Sequence, residues 1–239
     1  MKIGGLEKLS LLDYPNNIAA IIFTQSCNFR CGFCYNPMLV WPTDKKNIKG
    51  LSLIKEKDLF LFLKSRLNRL DGVVISGGEP TIHSDLPEFI KKIKDLGLKV
   101  KLDTNGTNPE MILNLWQENL IDYVAMDLKA PWHKYEKVVG IKVNCSFIKK
   151  SVKLLIDNKI PHEFRTTLVP NLHKEGDIVK MGEAIKGAKA WFLQKFVPSN
   201  DLLDPEFSKI KPYNDNKMKE LAEIGQKYVK NCRARGLNN

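Results

Sequence analysis

Short apolar runs alternate with longer amphipathic stretches along most of the chain. Residues 18–24 (IAAIIFT) form an apolar, β-branched run, and residues 55–67 repeat their apolar positions at helical spacing. Residues 73–76 are a second apolar run that ends at Gly77 and Gly78. Ser84 or Asp85 supplies an N-cap for a helix through Leu96 that stops at Gly97. Residues 98–102 read as strand, and Asn108 and Pro109 open a helix through Asn119 with proline in its first turn. The pattern continues with a strand at 123–126, an amphipathic helix at 146–158, a strand at 162–169 and a helix at 177–186. A strand at 190–197 and a long closing helix at 215–232 complete it.

Strand and helix in this alternation imply parallel strands joined by right-handed crossovers. No internal repeat or low-complexity linker interrupts it, so one domain over residues 1–239 is expected, with a core of about 15–200 and the C-terminal helix at 215–232. A complete eight-unit barrel takes typically about 250 residues. Six units, a long loop after the first strand and a closing helix already fill this chain. The expected fold is therefore α/β, a partial (β/α)6 TIM-like barrel, with an open doubly wound sheet as the alternative. In either, ligands belong at the carboxyl ends of the strands.

Those ends carry the unusual polar residues. The first strand runs into Cys27, Cys31 and Cys34, and the second into Gly77, Gly78, Glu79 and Pro80. The third ends at Asp103, Thr104, Asn105 and Gly106, and the fourth at Asp127, Leu128 and Lys129. The fifth carries Arg165 with Thr167, and the sixth Gln194 and Lys195. Each has a plain reading of its own: a glycine pair makes a tight turn, an aspartate caps a helix, a lysine sits in solvent. Chance would spread such residues over both ends of the strands, and their joint placement argues for one site.

Composition narrows the class. The apolar share of 43% is that of a globular protein. No apolar run approaches the roughly 20 residues that span a bilayer, and the first ten residues lack the apolar stretch of a signal peptide. A soluble cytoplasmic protein is expected. The net charge of +11 comes mainly from lysines scattered along helices, such as Lys91, Lys92 and Lys94 or Lys149, Lys150 and Lys153. That pattern admits an acidic protein partner. Arginines and aromatics do not interleave in a basic stripe, which argues against nucleic acid.

Five cysteines, three of them in one loop, do not make a disulfide framework in a chain this long. Cys145 and Cys232 read as buried or idle thiols. A closed structural metal site uses four protein ligands. Three thiolates can hold three irons of a cubane iron–sulfur cluster, whose usual set is four cysteines, and leave one iron open. A zinc site completed by Cys145 or Cys232 is the other reading of the triplet.

The spacing Cys27-x3-Cys31-x2-Cys34, with Phe33 before the last cysteine, and the Gly77–Gly78–Glu79–Pro80 run resemble the radical S-adenosylmethionine superfamily. Further stretches resemble the activating proteins of glycyl radical enzymes. They are Asp13–Tyr14–Pro15, Phe23–Thr24–Gln25, Cys34–Tyr35–Asn36–Pro37, Asp103–Thr104–Asn105–Gly106, Asp127–Leu128–Lys129 and Arg165–Thr166–Thr167–Leu168–Val169–Pro170. The branch serving anaerobic ribonucleoside-triphosphate reductases is the nearest in pattern. The resemblance covers roughly residues 9–200. It implies a [4Fe–4S] cluster on Cys27, Cys31 and Cys34 whose open iron chelates the amino and carboxylate groups of S-adenosylmethionine. It implies that Gly77, Gly78 and Glu79 hold the methionine end, that Phe33 and Tyr35 pack near the adenine, and that Asp103, Asp127, Lys129 and Arg165 position the rest of the ligand. It also implies a glycyl radical enzyme as protein substrate and a flavodoxin- or ferredoxin-type electron donor. The alternative within the superfamily is an enzyme acting on a small molecule or nucleobase, similar to the 7-deazaguanine synthases. Two positions depart from the activase pattern. The segment Phe196–Val197–Pro198–Ser199 lacks the histidine that some activases place there, leaving Gln194 as its replacement, and Tyr35 stands where many have histidine.

Overall fold

The structure, a computed structural model, describes residues 1–41 and 52–237. In chain order its main elements are β1 (Ile3–Ser10), β2 (Ala19–Thr24), α1 (Pro37–Val40), α2 (Glu56–Lys64), β3 (Gly72–Gly77), α3 (Leu86–Lys94), β4 (Lys99–Thr104) and α4 (Pro109–Gln117). They continue as β5 (Tyr123–Asp127), α5 (Tyr135–Val139), α6 (Cys145–Asp157), β6 (His162–Leu168), α7 (Glu175–Ala184), β7 (Trp191–Lys195), α8 (Asp215–Gln226) and β8 (Cys232–Arg235). The strands follow one another in sheet order β1 to β8. β1 lies antiparallel to β2, while β2–β3, β3–β4, β6–β7 and β7–β8 pair in parallel. The α/β class expected from the alternation is the one observed. Among the described residues no helix is long and apolar enough to cross a membrane.

The chain groups into two compact units, one of residues 1–28, 38–104 and 110–124, the other of 29–37, 105–109 and 125–239. In the first, Ala19, Ala20, Ile22, Val73, Val74 and Ile75 are wholly buried. That explains why β2 and β3 read as continuous apolar runs, as strands covered on both faces do. Their register runs from Ala19 opposite Gly72 to Thr24 opposite Gly77, so both strands end level. α3 buries Leu86, Phe89, Ile90 and Ile93 and carries Lys91, Lys92 and Lys94 in its last turn, where cations suit the helix dipole. Asp122 fixes the entry to β5: it accepts from Lys94 Nζ at 2.8 Å and from the Val100 amide at 2.7 Å.

The second unit is built around β6 and β7. Trp191 is wholly buried, and its indole N–H donates to Thr166 Oγ1 at 3.0 Å. α6 turns Ile148, Ser151, Val152 and Leu155 inward, and the Ser151 hydroxyl donates to the Gly106 carbonyl at 2.7 Å.

Two elements correct the sequence reading. The closing helix expected to reach Cys232 stops at Gln226, and Cys232 instead opens β8. Cys232 sits opposite Trp191 in the parallel ladder and packs so closely on Gly225 that a Cβ there would lie 2.5 Å from its Sγ. The turn between them lets the wholly buried Cys232 line the core, and burial pushes its thiol up to about 12. β1 was hidden by its own composition, because Gly4, Gly5, Glu7 and Lys8 interrupt any strand signature.

Candidate cofactor site

In the first unit lie Cys27, Gly77, Gly78, Glu79 and Asp103. Beyond β2, the buried Gln25 side chain donates to the carbonyls of Met38 at 3.2 Å and Trp41 at 2.5 Å. The amides of Ser26 and Cys27 donate to the carbonyls of Leu39 and Val40 at 2.7 and 3.1 Å. The start of the cysteine loop is therefore tied to the segment that follows it. Ser26 takes φ of 79°, a left-handed turn rarely held by a non-glycine residue.

Gly77 and Gly78 bring the end of β3 against this same backbone. Gly77 adopts φ of 109°, and a Cβ on Gly78 would lie 1.9 Å from the Ser26 carbonyl oxygen and 3.2 Å from the Cys27 nitrogen. Only a residue without Cβ fits there. The Gly78 and Glu79 amides complete the junction by donating to Thr24 and Ser26 carbonyls at 2.9 and 2.8 Å. Glu79 is buried; its Oε1 accepts from the Thr81 amide at 3.1 Å, from Thr81 Oγ1 at 2.5 Å and from Thr104 Oγ1 at 2.7 Å. Asp103 pairs with the wholly buried Lys101 and accepts from Ser76 Oγ at 3.2 Å. Lys101 and Ser76 were not singled out from the sequence, whereas Thr104 was. Alternation along β4 could have raised Lys101, a charged residue at a position that faces the core.

In the second unit lie Cys31, Phe33, Cys34, Tyr35, Asp127, Lys129 and Arg165. Asp127 lies at the centre, with Lys129 Nζ 2.9 Å from one carboxylate oxygen and Arg165 Nε 3.1 Å from the other. Burial works against the Asp127 charge, but the two cations outweigh it and hold the carboxyl at about 2. Burial likewise disfavours the Lys129 ammonium; Asp127, and then Cys31, reverse this and raise its pKa. Cys31 is buried, and burial pushes its thiol up to about 11 against the pull of Lys129.

Lys129 is itself held by its backbone. Its amide donates to Tyr135 Oη at 3.2 Å, and His173 Nε2 meets its carbonyl at 2.8 Å. Because His173 Nδ1 accepts from the Val169 amide at 3.1 Å, Nε2 carries the proton, and burial lowers the imidazole pKa so that it stays neutral. His173 escaped the sequence reading because it lies on a loop beyond β6 with no motif around it. Lys195, expected at a strand end, is paired with Asp215 at 2.6 Å.

Phe33 and Tyr35 both face the chain beyond β7. The Phe33 ring lies 6.0 Å from that of Phe207, and Tyr35 stacks on Phe196 at 6.2 Å while its hydroxyl accepts from the Val197 amide at 2.8 Å. All five cysteines are free thiols. Among the described residues no three or more His, Cys, Asp or Glu side chains are gathered as a ready metal site.

The sequence matches the family model described as the Radical SAM superfamily over residues 21–181. The chain belongs to this superfamily. It is an enzyme family whose members use a [4Fe–4S] cluster and S-adenosylmethionine. The chain is 36% identical to a Methanocaldococcus jannaschii protein provisionally named a glycyl-radical enzyme activating enzyme, over 99% of this chain and 96% of the relative. It is 29% identical to the pyruvate formate-lyase-activating enzyme of Staphylococcus epidermidis, over 75% of this chain and 73% of that one. It is 26% identical to GTP 3′,8-cyclase of Campylobacter jejuni subsp. doylei, over 74% of this chain but only 55% of that one. Among solved structures, Streptococcus suis SuiB bound to S-adenosylmethionine superposes with a TM-score of 0.67 at 17% identity, covering 89% of this chain. This chain spans about half of the SuiB chain, 48% of its length. The superposition supports the radical SAM partial-barrel fold.

Proposed function

We propose that this radical SAM enzyme activates a glycyl radical enzyme, the protein substrate being of the anaerobic ribonucleoside-triphosphate reductase type. The end-to-end match to the M. jannaschii relative is the observation that carries the reading, since it spans nearly the whole length of both chains. The residues present fit the cofactors. Cys31 and Cys34 are free thiols of one turn, and both interact electrostatically with the Lys129 ammonium, a charge that offsets thiolates. The junction of Gly77 and Gly78 with Ser26 and Cys27 gives the third thiol a fixed backbone.

In this reading Cys27, Cys31 and Cys34 hold the cluster. When bound, the cluster and S-adenosylmethionine supply a one-electron cleavage of a carbon–sulfur bond that yields methionine and a carbon radical able to take hydrogen from a glycine. Gly77, Gly78 and Glu79 hold the methionine end of the ligand. Asp103 and the Asp127–Lys129–Arg165 set orient its charged groups, and Phe33 and Tyr35 flank the adenine. The ion pairs fix these side chains before the ligand arrives, so less ordering is needed on binding. A flavodoxin- or ferredoxin-type protein delivers the electron.

The test is anaerobic reconstitution with iron and sulfide, then addition of reductant, S-adenosylmethionine and an anaerobic ribonucleoside-triphosphate reductase. The expected result is 5′-deoxyadenosine together with an organic radical whose electron paramagnetic resonance splitting changes when the partner carries deuterated glycine. A second reading, chemistry on a small molecule or nucleobase, is favoured by the likeness to GTP 3′,8-cyclase. Deuterium passing from a labelled small substrate into 5′-deoxyadenosine, with no radical on any protein, would replace the first reading by the second.

A further inference from the structure

The chain between β7 and α8 lies directly on the turn that carries Cys31 and Cys34. The amide of Leu203 donates to the Cys34 carbonyl at 3.3 Å, and the amide of Asp204 donates to the Gly32 carbonyl at 2.9 Å. The Phe207 ring meets Phe33 at 6.0 Å with the planes 44° apart. It also covers Gly32 so tightly that a Cβ there would lie 2.4 Å from a ring carbon and 3.1 Å from Asp204 Cβ. The strap is shaped locally: the Asp204 carboxylate accepts from the Glu206 amide at 3.0 Å and caps a short 3-10 turn, residues Pro205–Lys209, that aims the ring inward. Backbone bonds thus grip the turn at two places, and one aromatic ring closes over its centre.

We propose that Phe207 is a positioning residue for the iron–sulfur site: by packing on Gly32 and Phe33 it fixes the turn that presents Cys31 and Cys34. The inference rests on the reading that the cysteines hold the cluster, and it adds a part of the chain that lies outside the family motifs. A hydrogen bond from a backbone amide survives substitution of its own side chain, so the ring is the component a mutation can remove. Without it, the turn keeps its two backbone tethers but loses the wall that limits Gly32 and Phe33. Groups that orient metal ligands from outside the ligand set typically change metal affinity by about 10–100-fold.

Four variants test this: Phe207→Ala, Phe207→Tyr, Gly32→Ala, and Gly32→Ala combined with Phe207→Ala. Iron and sulfide per chain, the rate of iron loss to a chelator, hydrogen exchange of residues 29–36 in the apoprotein and the thermal midpoint are measured for each. Phe207→Ala should lose iron about 10-fold faster and exchange faster across 29–36, with exchange in α6 and β6 unchanged, and Phe207→Tyr should restore both. Gly32→Ala should impair iron retention in the wild-type background and much less beside Phe207→Ala, because the clash partner is gone. Wild-type iron retention and wild-type exchange in Phe207→Ala would overturn the proposal, as would a uniform rise in exchange throughout the chain. If the unaltered protein takes up no iron, it is the cluster reading that fails.

Discussion

Glu79 is held by the fold at the place where a ligand role is proposed for it. A single oxygen of its buried carboxylate accepts from Thr81 twice and from Thr104 once. Glutamine presents an oxygen of the same shape, so Glu79→Gln keeps these bonds at reduced strength, since bonds to a charged group contribute about 1.5–3 kcal/mol against about 0.5–1.5 for neutral ones. The variant should fold with a small loss of thermal midpoint but bind S-adenosylmethionine at least about 10-fold more weakly, that factor being about 1.4 kcal/mol; calorimetry on the reconstituted protein measures it. Unchanged binding would confine Glu79 to capping the turn after it. Asp127 makes a different prediction. Its carboxyl titrates at about 2 in the folded chain against 3.8 ordinarily, a depressed pKa. The stabilisation is therefore complete above the ordinary value and is lost as pH falls through the folded one. The shift corresponds to roughly 2 kcal/mol. Asp127→Asn should cost about that much near neutral pH, leaving Lys129 without its carboxylate. It should also flatten the fall in urea stability between about pH 4 and pH 2.

At the scale of elements, the legible ones are those whose local chemistry matches their tertiary role. β2 and β3 are apolar up to their polar carboxyl ends because both faces are covered there, and α4 begins at Pro109 as its sequence indicates. The helix expected to stop at Gly97 ends at Lys94, and Gly97 takes the left-handed turn beyond it at φ of 80°. Asp85 occupies the expected N-cap position but makes no side-chain capping bond; its carboxylate pairs with the Met1 amine at 2.5 Å. The elements that stayed hidden owe their form to distant partners. β8 is a short, charged stretch whose pairing with β7 depends on Cys232 meeting Trp191 and Gly225, and the strap around Phe207 depends on Gly32. Local pattern carries no trace of either contact. The β8 contact can be tested directly. Gly225→Ala should gain up to about 1 kcal/mol of helix propensity, yet overpacking against Cys232 Sγ costs about 1–3 kcal/mol. Net destabilisation is expected. Combined with Cys232→Ala, which removes the sulfur and leaves the Trp191 ring carbons at 3.2 Å, the same substitution should cost much less; equal costs in both backgrounds would mean the Cys232 contact does not set the packing there.

For the whole molecule, the candidate site was legible as a list of residues because the strand ends follow from alternation alone, while the ion pairs that organise it were not. Asp127 and Lys129, like Lys101 and Asp103, stand two residues apart, a spacing that permits each pair without selecting it, whereas Arg165 reaches Asp127 from 38 residues away, which no local spacing encodes. The thiols add a further global consequence. Burial holds Cys31 in its protonated form, at about 11. With Cys31 as a ligand, as proposed, cluster binding displaces that proton, and in return it fixes a turn that the apoprotein holds by packing and backbone bonds. A ligand bound by the folded chain and not by the unfolded one stabilises it by about 2.7 kcal/mol at a hundred times its dissociation constant. In a chain of this size each kcal/mol moves the thermal midpoint by about 2–4 °C. Anaerobic reconstitution should therefore raise the midpoint by about 5–10 °C, and an iron chelator should reverse the gain. The gain should shrink as pH is lowered, because protons compete with iron for the thiols. Cys31→Ala should begin near the apoprotein midpoint and show no rise, whereas Cys145→Ala, outside the triplet, should respond like the unaltered chain. A full response in Cys31→Ala would remove that residue from the cluster.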